Sequence, residues 1–81
     1  MKILILEDEP RSAKRLIRML KDIDPMFVPE GPLGSIKETE AFFRSGKSSD
    51  LILADIRLSD GLSFEALKHA PSSVPILFTT A

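Results

Sequence analysis

The sequence predicts an α/β fold in which a parallel β-sheet carries helices on both faces. Three continuous apolar runs, Ile3 to Leu6, Leu51 to Ala54 and Val74 to Phe78, are bounded by polar residues, which is typical of strands buried on both faces. Amphipathic stretches alternate with these runs, and such alternation favours parallel strands joined by helices. The predicted element order is βαβαβαβ.

A weaker strand candidate, Met26 to Val28, lies between the first two strong runs. Pro29 and Pro32 follow it, and because proline has no N–H to donate to a sheet, we expect a short strand or an edge strand here. The segment 31–35, with the sequence GPLGS, is interpreted as a loop that leads into the next helix.

The first helix is predicted directly after the first strand. Its apolar residues Ala13, Leu16, Ile17 and Leu20 have the i, i+3, i+4, i+7 spacing of a single buried stripe. Pro10 suits its first turn, where the missing N–H costs nothing. This segment is therefore expected to pack against one face of the sheet.

The start of the second helix is indicated by Ser35 and Glu38, which have the spacing of a capping box. We expect Ala41, Phe42 and Phe43 to form the apolar side of this helix.

A third helix is predicted to follow the Asp60-Gly61 turn, to run from Leu62 through Leu67, and to stop before Pro71.

The composition is that of an ordinary globular protein, with 43% hydrophobic and 28% charged residues. At 81 residues the chain can bury only a thin core. A formal net charge of −1 gives little support for direct binding to nucleic acid, and the absence of cysteine excludes disulfides and thiolate chemistry. Because the chain has neither a signal-like start nor a long apolar stretch, we expect a cytoplasmic location and no contact with membranes.

Polar side chains directly follow the strong apolar runs. They are Glu7 and Asp8 after the first run, Asp55 after the second, and Thr79 and Thr80 after the third. In open parallel sheets, ligands bind outside the carboxyl ends of the strands. Carboxylates brought together there repel one another unless a cation lies between them, and oxygen ligands of this kind suit Mg²⁺. The pattern therefore predicts a Mg²⁺ site.

Asp55 is the candidate nucleophile within this group. It follows a fully apolar strand, which would hold it rigidly, and a carboxylate neutralised by a metal ion can attack phosphorus to form an acyl phosphate. A hydroxyl on the neighbouring strand, with Thr80 within reach, could donate to a phosphoryl oxygen.

Each of these residues also has a purely structural interpretation. Asp8 or Glu9 could cap the first helix and interact with its dipole. Arg57 could serve only as an ion-pair partner for Asp55. Threonine is favoured at the end of a strand on propensity alone, so Thr79 and its neighbour need no chemical role.

Two further features are assigned to the surface. Lys14, Arg15, Arg18 and Lys21 form a basic helical face, which is more often solvated than a binding site. His69, the only histidine, is expected at a solvated helix end and is assigned no catalytic role.

Four motifs carry a resemblance to a known family across essentially all of the chain. They are KILILEDEP at 2–10, DLILADIRL at 50–58, DG at 60–61 and PILFTTA at 75–81. In this order and spacing they resemble the receiver domains of bacterial response regulators. The resemblance implies a flavodoxin-like (CheY-like) parallel sheet with helices on both faces.

The resemblance also implies a role for individual residues. Glu7, Asp8, Asp55 and the backbone carbonyl of Arg57 would bind Mg²⁺, and Asp55 would be the phosphoacceptor. Thr80, which precedes a small residue, would supply the switch hydroxyl.

The match to the family covers only its amino-terminal part, so residues 1–81 are expected to form a partial receiver, truncated after the fourth strand. The fourth helix, the fifth strand with its lysine, and the fifth helix would be missing. Without that lysine we expect slow or absent phosphorylation of the isolated chain. An open strand edge and an exposed apolar helix face would favour self-association or strand exchange.

The expected function is that of a two-component receiver, a phosphoacceptor rather than an enzyme. A histidine kinase or phosphotransfer protein would supply the phosphoryl group, and a LytTR-type output domain outside this chain would bind DNA and control transcription. The alternative is a phosphorylation-independent pseudo-receiver or truncated interaction module, which Mg²⁺ affinity would distinguish. A phosphatase or nucleotide-binding enzyme is disfavoured because the sequence has no glycine-rich phosphate loop.

Overall fold

The computed structural model describes residues 1–79, and its main sheet has four parallel strands in the order β2-β1-β3-β6. The elements in chain order are β1 (Lys2–Leu6), α1 (Pro10–Ile23), β2 (Val28–Leu33), α2 (Ile36–Arg44), β3 (Leu51–Asp55), β4 (Arg57–Leu58), β5 (Gly61–Leu62), α3 (Phe64–Leu67) and β6 (Ile76–Thr79). The predicted α/β class is therefore confirmed. Within the described part of the chain, no helix is long and apolar enough to cross a membrane.

Two buried clusters lie on opposite faces of the sheet, as expected for helices on both faces. Ile3, Ile5, Leu20 and Leu53 pack on the α1 side. The other face carries Leu4, Leu6, Ile52, Ala54, Leu58 and Leu67. Successive residues of β1 thus contribute to alternate faces, and this alternation holds the central strand in one register.

The predicted stripe of α1 is confirmed. Ala13 and Leu20 are buried, and Leu16 and Ile17 between them are half-buried. Pro10 occupies the first helical position, where it replaces an N–H that would have no partner inside the helix.

β2 is the edge strand predicted from its prolines, but its predicted bounds are wrong. It begins at Val28 and continues through both prolines to Leu33, so residues 31–33 are strand rather than loop. Because β2 pairs with no strand of the described chain other than β1, a proline nitrogen can face away from the ladder. Gly31 has φ of +94°, and a Cβ there would lie 2.8 Å from the Ile5 carbonyl oxygen, so only glycine permits this irregular pairing.

Ser35 caps α2 as predicted, but the return half of the capping box is not formed, because the Glu38 carboxylate contacts the Ser35 hydroxyl rather than its backbone N–H. The Ser35 hydroxyl accepts the Glu38 N–H at 3.0 Å and donates to the Glu38 carboxylate at 3.2 Å. The two phenylalanines of the predicted apolar side are half-buried, but Ala41 is exposed. The fully buried residue of this helix is instead Thr39, whose hydroxyl donates to the Ser35 carbonyl at 2.8 Å and is therefore satisfied despite its burial.

The third helix begins at Phe64, two residues later than predicted, because Leu62 belongs to a small hairpin. β4 and β5 pair in an antiparallel manner, with Arg57 opposite Leu62 and Leu58 opposite Gly61. The pairing uses the backbone of residues 61–62, which therefore cannot start the helix.

Among residues 1–79, β6 forms the edge of the sheet opposite β2 and pairs only with β3. Leu77 and Phe78 on this strand are 56% and 41% exposed, and Phe78 contacts Phe64 in an edge-to-face arrangement. Both faces of this edge strand therefore present apolar surface. Self-association or strand exchange through it remains a prediction.

Candidate functional site

The carboxyl ends of β1 and β3 bring three acidic residues together. The two strands run parallel with Leu6 opposite Ala54, so Glu7, directly after β1, and Asp55, the last residue of β3, lie side by side. One carboxylate oxygen each from Glu7, Asp8 and Asp55 lies within 4.8 Å of the other two. We call these three residues the acidic cluster.

Glu7 is the buried member of the acidic cluster, with 8% of its surface exposed. Its backbone N–H donates to the Leu33 carbonyl at 2.9 Å, and its carboxylate accepts the Glu9 N–H at 3.1 Å. Burial raises the pKa of Glu7 above its usual 4.5, and the neighbouring carboxylates of Asp55 and Asp8 raise it further, against the lowering effect of the Glu9 N–H. Ionising Glu7 is therefore costly unless a cation is bound.

Asp55 lies half-buried at the end of β3. Its carboxylate accepts the Arg57 backbone N–H at 3.4 Å, while the Arg57 side chain is exposed. Among residues 1–79, Arg57 forms no ion pair with Asp55. The structural interpretation of Asp55 as half of an ion pair is thus not what the structure shows.

The helix-capping role proposed for Asp8 or Glu9 falls to Glu9. Its carboxylate accepts the Arg11 N–H at 3.2 Å at the start of α1. Asp8 is exposed, and within the described chain its carboxylate makes no hydrogen bond. The carboxylate of Asp8 is therefore available to a ligand from solvent.

The acidic cluster opens into a groove of about 440 Å³. Its lining residues come from the segment between β1 and α1, the first half of α1, β3 and β6, and they are Glu7, Asp8, Glu9, Ser12, Arg15, Leu16, Asp55 and Thr79. Thr79 lies opposite Asp55 in the strand register. Thr80 and Ala81 lie outside the described residues, so the predicted switch hydroxyl cannot be located relative to this groove.

Asp60, interpreted from the sequence only as part of a turn, caps α2 from a distant part of the chain. Its two carboxylate oxygens accept the N–H groups of Ile36 at 2.6 Å and Lys37 at 3.3 Å. The Ile36 hydrogen bond, above all, lowers the pKa of Asp60 below its usual 3.8. The Asp-Gly dipeptide signals a turn, but no local signal reveals a contact across 24 residues.

The loop before α2 packs directly behind the acidic cluster. A Cβ at Gly34 would lie 3.3 Å from the Asp8 Cα, so a larger residue here would require Asp8 to shift by a few tenths of an ångström. The Gly34 carbonyl also accepts the Ser59 N–H at 3.0 Å. The residues that follow β1 and those that follow β3 are thus tied to one another through the start of α2.

His69 lies after α3, at an exposed position, and contacts the Glu40 carboxylate of α2 at 3.5 Å. The two residues line a different cavity, of about 280 Å³, together with Phe43 and Arg44. The structure does not bring His69 to the acidic groove.

The donor set of the acidic cluster fits Mg²⁺. The cluster offers only carboxylate oxygens, and the described lining of the groove contains no imidazole or thiol. Oxygen ligands from one or two carboxylates suit Mg²⁺, which retains several waters, better than the softer transition metals.

No protein-family profile matches the chain, and a search of curated proteins gives no match. Solved structures do match. The MaeR response regulator bound to beryllium trifluoride is 28% identical with a TM-score of 0.83, and the match covers 100% of this chain and 67% of that one. An aspartate-to-alanine mutant of MaeR bound to sulfate is 26% identical with a TM-score of 0.77, covering 99% of this chain and 66% of that one.

The response regulator PhyR from Brucella abortus is also similar, at 27% identity and a TM-score of 0.77 over 95% of this chain and 32% of that one. The chain thus spans between about a third and two thirds of the length of the structures that it matches. Its fold is that of response-regulator receiver domains, as the sequence resemblance implied.

Proposed function

We propose that the chain is a two-component receiver domain that accepts a phosphoryl group on Asp55 with the help of Mg²⁺. The observation that carries this is the acidic cluster itself, in which three carboxylates share one edge of the sheet with oxygens within 4.8 Å of one another. Burial raises the pKa of Glu7, and repulsion from the carboxylates of Asp55 and Asp8 raises it further, so a cation bound between the three would relieve part of this cost. The similarity to response-regulator structures supports the same function.

In this proposal Glu7, Asp8, Asp55 and the backbone carbonyl of Arg57 hold the ion. Bound Mg²⁺ would neutralise the carboxylates and the charge on the incoming phosphoryl group. Asp55 is fixed for its task because β3 is paired on both sides, with β1 and with β6. The Arg57 N–H further orients its carboxylate.

The transfer proceeds as an in-line displacement. A carboxylate oxygen of Asp55 attacks the phosphorus of a phosphohistidine, and the phosphorus–nitrogen bond breaks. The electron pair of that bond goes to the imidazole nitrogen, which then takes up a proton. The Thr80 hydroxyl would donate a hydrogen bond to a phosphoryl oxygen.

The partners follow from the same proposal. A histidine kinase or phosphotransfer protein would supply the phosphoryl group, and the receiver would act as a switch for an output, with transcriptional control through a LytTR-type domain as the specific expectation. A location in the cytoplasm belongs to this proposal because the kinase and the DNA would be there.

Beryllium trifluoride, a stand-in for a phosphoryl group on a carboxylate, tests this function without requiring turnover. Fluorine NMR in the presence of Mg²⁺ should show signals of protein-bound beryllium trifluoride for the wild type and none for Asp55→Asn. Asp50→Asn is the matched control, because Asp50 precedes the same strand at its opposite end and accepts the Lys2 N–H at 2.7 Å.

A folded wild-type chain that binds neither Mg²⁺ nor beryllium trifluoride, or Asp55→Asn with signals equal to the wild type, would contradict the proposed function. A folded chain with no affinity for Mg²⁺ would support the phosphorylation-independent interaction module instead.

A further inference from the structure

We propose that Arg15 is an anion contact for the phosphoryl group on Asp55, an assignment that rests on the proposed function. Arg15 belongs to the basic face of α1, for which the sequence suggested only a solvated role. The structure instead places it in the lining of the groove that contains the acidic cluster.

The orientation of α1 explains this placement. Ser12, Arg15 and Leu16 have i, i+3, i+4 spacing, so they share one side of the helix, and all three line the groove. Leu16 also packs against the buried cluster on the α1 face of the sheet. The core contact of Leu16 thus fixes the rotation of α1 and keeps the neighbouring Arg15 at the groove.

The charges around the groove make this position distinctive. Four carboxylates line it, those of Glu7, Asp8, Glu9 and Asp55, and Arg15 is the only basic residue in its described lining. Even so, Arg15 forms no ion pair within 4.0 Å with any carboxylate of residues 1–79. Its guanidinium donors are therefore available for an anion that enters the groove.

A phosphoryl group is the anion that matches these donors. Guanidinium groups bind phosphoryl oxygens through paired N–H donors, and these charge-assisted hydrogen bonds are stronger than neutral ones. The same positive charge repels Mg²⁺. Arg15 should therefore weaken binding of the metal ion alone and strengthen binding of the phosphoryl group, two effects of opposite sign.

α1 provides a matched control for this assignment. Arg11, Lys14, Arg15 and Arg18 line a separate basic groove of about 300 Å³, and of these four only Arg15 also lines the acidic groove. Arg18→Gln removes the same charge from the same helix without changing the lining of the acidic groove.

The test measures two affinities in each variant: that of Mg²⁺ alone, and that of beryllium trifluoride at saturating Mg²⁺. Arg15→Gln should bind Mg²⁺ at least as tightly as the wild type, while its beryllium trifluoride affinity falls about tenfold, the loss expected for one charge-assisted contact. Arg18→Gln should stay within about twofold of the wild type for both ions. Arg15→Lys should recover part of the beryllium trifluoride affinity, because lysine keeps the charge but not the paired donors.

Equal losses of both ions in Arg15→Gln would indicate a structural role and overturn the assignment. The assignment would also be overturned if Arg15→Gln and Arg18→Gln bound beryllium trifluoride with equal affinity. A folded wild type that binds neither ion would overturn the proposed function, and the role of Arg15 with it.

Discussion

Glu7 and Asp60 show two opposite environments for a carboxylate in the same chain. Asp60 faces two backbone N–H groups at the start of α2, and its pKa is lowered. Glu7 is buried and lies beside two other carboxylates, and its pKa is raised. The negative charge of Asp60 is stabilised by hydrogen bonds within the fold, whereas the negative charge of Glu7 lowers the stability of the fold.

This difference separates a structural acid from a candidate ligand. The ionised form of Asp60 stabilises the fold, because its negative charge meets the orphan N–H groups and the positive end of the helix dipole. The ionised form of Glu7 lacks such compensation apart from the Glu9 N–H. A cation between the carboxylates of the acidic cluster would supply it.

The largest expected effect comes from Glu7→Gln, which removes the uncompensated charge at constant shape. Without metal, the variant should unfold at a higher urea concentration than the wild type at neutral pH, because it removes a buried charge and, with it, the repulsion from Asp55 and Asp8. Its Mg²⁺ affinity should fall by at least about tenfold, since loss of even an outer-shell partner can cost that much. Urea unfolding in chelator and calorimetric Mg²⁺ titration measure the two effects.

The pH dependence of Glu7 has a definite sign. Because the folded pKa lies above 4.5, the contribution of Glu7 to stability is present at pH below that value and is lost as pH rises through the folded pKa.

Glu65→Gln, a change at an exposed residue paired with Lys68, is the control for Glu7→Gln and should leave Mg²⁺ binding unchanged. A lower metal-free stability of Glu7→Gln would show that its charge is already compensated.

A smaller effect of opposite sign is expected for Asp60→Asn. The folded pKa of Asp60 lies below 3.8, so its contribution is present at pH above that value and is lost as pH falls through the folded pKa. The variant should be less stable than the wild type at neutral pH, and the gap should close in acid. Urea midpoints across an acid series measure this.

Asp22→Asn removes a charge from an exposed position of α1 and is the control for Asp60→Asn. If the two variants lost stability equally at neutral pH, the cap on α2 would contribute nothing beyond general charge. A gap for Asp60→Asn that widened in acid would mean that its pKa shift has the wrong sign.

The sequence was sufficient for features that depend on local pattern. Continuous apolar runs located β1, β3 and β6, helical spacing located the buried side of α1, and the rule for carboxyl ends of parallel strands brought Glu7 and Asp55 together. Each of these rests on residues close together in the chain, or on the regular geometry of a parallel sheet.

Features that depend on contacts between distant segments could not be predicted. The prolines led to the prediction of a strand that ends at Val28, although pairing with β1 extends β2 to Leu33. Asp60 caps α2 across 24 residues of sequence. The β4–β5 hairpin uses residues 61–62, where α3 was expected to begin. The place of Arg15 in the acidic groove depends on how α1 rotates when Leu16 packs on the sheet, which a pattern of charges cannot reveal.

The most direct test of the acidic cluster as a metal site is a Mg²⁺ titration of isotopically labelled protein, followed through backbone amide shifts in the wild type and in Asp55→Ala. Saturable shifts at residues 7–8 and 55–57 that weaken in the variant are the predicted result. A folded wild type whose amides at these positions do not respond to Mg²⁺, or an Asp55→Ala variant that responds equally, would contradict it.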